Sequence, residues 1–101
     1  MRSRAIVTAL MHARVLIDYR EEYYICHALE ECRLRKEITR SEYTATRAYI
    51  MKQLQGQYSL EMWRHLNNIE PLSEAHPNRI KMYKVRVQWI DHMVETLCST
   101  S

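Results

Sequence analysis

Cys26, His27 and Cys32 are the residues whose types and closeness in sequence could do chemistry, through a thiolate, an imidazole or both. A zinc site needs about four ligands converging tetrahedrally, usually from short ligand pairs. On a helix Cys26 and His27 point to different faces, and Cys26 and Cys32 are poorly phased, so buried thiols packing as small hydrophobes are expected. A nucleophilic Cys would need one of the five His residues beside it on a strained turn. Nothing in the spacing brings them together. Glu21-Glu22 and Glu30-Glu31 are adjacent pairs, whose members diverge on a helix and do not form an acid–base couple. The expectation is a protein that is not an enzyme and uses no metal and no cofactor.

A second group could do recognition. Arg79, Lys81, Lys84 and Arg86 fall in the first half of the last predicted helix, with Asp91 and Glu95 in its second half. That order opposes the helix dipole, which favours acids at the N-terminus and bases at the C-terminus. It therefore hints at a partner surface carrying negative charge, although exposed charges of this kind also serve merely to keep a face wet. Seven Tyr and two Trp, with no Phe, join apolar bodies to polar tips, as half-buried and partner-facing sites require. Tyr19, Tyr23 and Tyr24 cannot all face one core. The expected partner contacts are Tyr19, Tyr23, Arg79, Lys81, Lys84 and Arg86. A further stripe, Met82, Trp89 and Met93, is either a broad core contact or a docking face for a partner or a second copy.

The elements that position these residues follow from periodicity. The stretch from His76 to Cys98 repeats Ile80, Tyr83, Val87, Ile90, Val94 and Leu97 at steps of three and four, which places all six on one side of a helix. His76 or Asn78 can cap it, and Pro77 suits its first position. It is expected to be the long, central helix. Residues 3–17 carry Ile6, Leu10, Ala13 and Ile17 on one stripe, with Val7, Met11 and Val15 around it. A helix so widely apolar is well buried or half-covered by a partner. Asp18 with Glu21 fits a capping box, so the chain is expected to break near Asp18, with one long kinked helix as the competing arrangement. The next helix, Tyr19 to Lys36, turns Ile25, Ala28, Leu29 and Cys32 inward. Thr39 and Glu42 offer a second capping box, opening a helix with Tyr43, Ile50, Met51 and Leu54 inward. Gly56, the one Gly of the chain, is placed to end it. Ser59 caps a short helix bearing Leu60, Trp63 and Leu66, and residues 69–77 form a loop.

Composition agrees with this outline. The 101 residues are 47% hydrophobic, enough for one domain spanning 1–101, and one Gly with two Pro disfavours hairpins and phosphate-cradling loops. The fold class expected is all-α, a compact bundle of four to five helices. A net charge of +3 is milder than a dedicated nucleic-acid binder usually carries. Three Cys without a CxxC favour a reducing compartment. His12 and Arg14 interrupt the first apolar run too early for a signal peptide, and no apolar run approaches the ~20 residues of a membrane span. The expected setting is the cytoplasm, away from the membrane.

Two segments, Tyr24-Ile25-Cys26-His27-Ala28-Leu29 and Tyr58-Ser59-Leu60-Glu61-Met62-Trp63, together with Trp89-Ile90-Asp91-His92, resemble stretches of small bacteriophage-encoded helical accessory proteins of unassigned function. The resemblance brings no catalytic residues. It implies a protein of the host-cell cytoplasm that binds a host protein or complex, such as a nucleic-acid-processing or defence machine, and inhibits or redirects it. The alternatives are a small nucleic-acid-binding protein using the basic half of the last helix, and a structural homodimer built on Met82, Trp89 and Met93.

Overall fold

The computed structural model describes residues 2–54 and 82–99. Four helices lie within them: α1 (Arg2–Tyr19), α2 (Ile25–Leu34), α3 (Arg40–Leu54) and α4 (Tyr83–Ser99). No strand occurs among the described residues, and the chain is all-α. The expected Gly56 cap, the Ser59 helix and the His76–Asn78 start of the last helix lie outside these residues.

Among the described residues the hub is α1, which packs against α2, α3 and α4 alike. Within this set, the C-terminal helix expected to be central packs chiefly on α1. The reason is visible along α1, where Ala9 and Ala13 alternate with Ile6, Leu10, Leu16 and Ile17, all buried. Small side chains let neighbouring helices approach closely, while the large ones fill the space between them. Burying each of the large residues contributes about 1.5–3 kcal/mol.

The chain does break after Tyr19, but not through an Asp18–Glu21 capping box. Asp18 instead accepts from Arg14 at 3.1 Å, one helical turn back, and Tyr24 is the extended N-cap residue of α2, with no side-chain cap. Helix α2 buries Ile25, Ala28, Leu29 and Cys32, as its spacing indicated, and adds Cys26 and His27. It ends in a Schellman motif. The Glu37 N–H donates to the Cys32 carbonyl at 2.9 Å and the Lys36 N–H to that of Arg33 at 3.0 Å. Lys36 takes the left-handed φ of 63° that this motif demands and that Gly more often supplies.

The second capping box is formed. The Thr39 N–H donates to Glu42 Oε1 at 2.7 Å, and the Glu42 N–H donates to Thr39 Oγ1 at 3.0 Å. Inside α3, Ile50 is buried, and Thr46 is buried too because its hydroxyl donates to the Glu42 carbonyl at 2.7 Å.

Helix α4 is rotated from the stripe expected of it. Its buried row is Arg86, Ile90, Met93 and Leu97, with Tyr83, Val87 and Val94 half-buried at the margin. Arg14 of α1 fixes its register, donating from Nε to Asp91 Oδ1 at 2.7 Å and from a terminal nitrogen to Oδ2 at 3.3 Å. Such a pair is half-exposed and contributes at most about 1 kcal/mol. Apolar burial therefore does most to hold α4 in place.

Candidate interaction surfaces

Two of the three thiols sit where chemistry is suppressed, while Cys98 is exposed. Cys26 and Cys32 are both fully buried in α2. Burial pushes each thiol up to about 12, and Glu37 reinforces the effect at Cys32. A group so reluctant to form a thiolate is neither a nucleophile nor a ready metal ligand at neutral pH. His27 stacks on Tyr23 with ring centroids 4.3 Å apart. Burial lowers its pKa, so the neutral imidazole is favoured, and the charged neighbours Glu31, Arg20, Glu22 and Glu30 modulate that effect. Among the described residues, no three His, Cys, Asp or Glu side chains converge as a metal site would require. No described helix is long and apolar enough to cross a membrane.

The four expected contact residues that are described do not come together as one face. Tyr19 stands 82% exposed at the end of α1, and Lys84 is exposed on α4. Tyr23 is buried against His27, with the Arg20 guanidinium 5.0 Å from its ring centre. Arg86 is fully buried. Its guanidinium donates to the Glu21 carbonyl and lies 5.3 Å from the Tyr24 ring centre. Tyr23 and Arg86 thus clamp the α1–α2 connection and are withdrawn from any outside partner. Arg79 and Lys81 lie outside the described residues. The Met82/Trp89/Met93 stripe is drawn inward as well, since Met93 is buried and Trp89 packs on the core.

Two surfaces take their place, the first missed by the sequence reasoning and the second foreshadowed by Tyr19 and by the apolar residues Val7, Met11 and Val15 outside the core stripe of α1. The first is a groove of about 690 Å³ between α1 and α3. Its rim is the ridge Arg40, Thr44, Ala48 and Lys52, each exposed and each one turn from the next, and Ser41 adds a second hydroxyl. Ile6 and the half-buried Tyr49 lie beneath it. Arg40 and Lys52 are separated by three turns, about 18 Å at 1.5 Å per residue. The only acid in α3, Glu42, is engaged in the capping box. The i, i+4 recurrence of Arg40, Thr44, Ala48 and Lys52 was the available signal in the sequence.

The second surface is the outer side of α1, where Met11 is 43% exposed, Val15 66% and Tyr19 82%. Shallow hollows flank this row, one lined by Val7, Thr8, Met11, His12 and Val15, the other reaching Arg35 and Glu37 past the end of α2.

Comparison with family models, with curated proteins and with solved structures gives no match for this chain. The class of the protein therefore rests on its helices and these two surfaces.

Proposed function

We propose that the chain is a non-catalytic accessory protein of the phage type, which binds a host protein complex in the host cytoplasm and inhibits or redirects it. The compact bundle of four to five helices expected from the full sequence is part of this reading. The observation that carries it is the α1–α3 groove, with a cation at either end, hydroxyls and a small side chain between them, and no acid among its described lining residues. Such a groove suits an acidic helix or strand of a partner protein, whose carboxylates can reach Arg40 and Lys52 while its apolar side settles over Ile6 and Tyr49. The burial of Cys26 and Cys32 and the stacking of His27 on Tyr23 take these three groups out of reach of a substrate, which supports a role in binding. The phage setting draws on the segment resemblance.

The test is affinity purification from host lysate with the tagged chain and with an Arg40→Glu/Lys52→Glu variant. One host protein or complex should be retained at moderate salt and lost from the variant. Retention of the same protein by both chains, or of none by either, would refute the reading. If the retained species were nucleic acid, released steeply as salt rises, the groove would belong to the alternative of nucleic-acid binding.

A further inference from the structure

The outer side of α1 carries a hole and a knob of matching kind. Thr8, Met11, His12 and Val15 occupy positions i, i+3, i+4 and i+7 around one hollow of about 360 Å³, the arrangement that receives a single side chain when helices pack knobs-into-holes. Tyr19, one turn beyond Val15 on the same side, is a large side chain standing 82% exposed. A Tyr held out in water this far leaves its ring without packing that a hole of this size could supply.

We propose that the occupant of this face is a second copy of the chain, packed antiparallel on α1 with Val15 at the two-fold axis. In an antiparallel pair centred there, residue 15 meets itself, residue 19 meets residue 11, and residue 18 meets residue 12. The Tyr19 ring of each copy then enters the hole of the other beside Met11, a favourable sulfur–aromatic contact. Charge follows the same register. Asp18 accepts from Arg14 through Oδ2 and can accept through Oδ1 as well, and His12 of the second copy carries a ring N–H to donate to it.

The interface is isologous, as a closed dimer requires. It uses one helix face per copy, less than the ~1,600 Å² of a standard interface, and the dimer is proposed to be reversible, dissociating in the micromolar to millimolar range. The α1–α3 groove lies on another side of the molecule and plays no part in it.

Sedimentation equilibrium of the full chain from about 1 µM to about 1 mM covers that range. The natural chain should pass from monomer to dimer, while Tyr19→Ala and Val15→Glu should stay monomeric with unchanged helical circular dichroism. Register is read by oxidative crosslinking in a Cys98→Ser background. Val15→Cys should crosslink to itself, and Met11→Cys should crosslink to Tyr19→Cys in a mixture but not to itself. A natural chain that stays monomeric throughout, a dimer that survives both substitutions, or self-crosslinking of Met11→Cys without that of Val15→Cys would overturn the proposal. A monomeric chain whose Tyr19 is protected only on adding host extract would assign the face to a different protein's helix, and would equally overturn it. Charge reversal at Arg40 and Lys52 should leave the dimer intact, so this proposal and the host-binding one fail separately.

Discussion

Arg86 and Lys84 are two cations two positions apart on one helix, and they do opposite things. Lys84 stays in water, whereas Arg86 fills a core position, satisfies the Glu21 carbonyl and covers the Tyr24 ring. Arg86→Ala should therefore destabilise the chain by about 2–4 kcal/mol in denaturant unfolding, through a cavity and an orphaned carbonyl. Lys84→Ala should change stability by no more than about 0.5 kcal/mol. Equal effects would contradict the burial of Arg86. His27 makes a second residue-scale case. Burial lowers its folded-state pKa, so the unfolded chain takes up the proton first as pH falls, near the ordinary value of about 6.5. Stability should be fully present above that value, decline as pH drops below it, and level off once the lowered folded-state pKa is passed. His27→Gln should flatten this decline in unfolding curves between pH 7 and pH 5. An unchanged slope would show that His27 is not the group responsible. Burial of Arg86 was not anticipated, because a cation is expected to face water. The signal was nonetheless present, since 83, 86, 90, 93 and 97 also recur at steps of three and four.

At the scale of elements, local sequence was a good guide where the physics is local. The Thr39–Glu42 capping box formed as its spacing indicated, because both partners lie within one turn and need nothing from the rest of the fold. Thr39→Ala should cost about 1 kcal/mol, read as a lowered thermal midpoint with unchanged unfolding cooperativity, whereas no change would mean that the cap is dispensable. The Asp18–Glu21 box had similar spacing and did not form. Arg14 competes for Asp18 from within α1, and Tyr24 begins the next helix. The inward rows of α1 and α2 were legible too, down to Ala13 and Cys32. The groove on α3 was not, because Arg40, Thr44, Ala48 and Lys52 form a surface only once α1 lies beside them.

At the scale of the whole molecule, periodicity tells which side of each helix is buried but not which helix the others gather around. That choice depends on how closely axes can approach, and Ala9 and Ala13 settle it in favour of α1. Both proposed contact surfaces use this hub, since its Ile6 underlies the groove beside α3 and its outer row carries the knob and the hole. The central claim is that α1 is the rigid element on which the rest is assembled. Native-state hydrogen exchange of the dilute, monomeric chain tests it most directly. The slowest amides should lie in α1 between Leu10 and Ile17 and exchange only with global unfolding, while α4, which among the described helices packs chiefly on α1, opens earlier. Amides of α4 that outlast those of α1 would return the central place to the C-terminal helix and contradict the account.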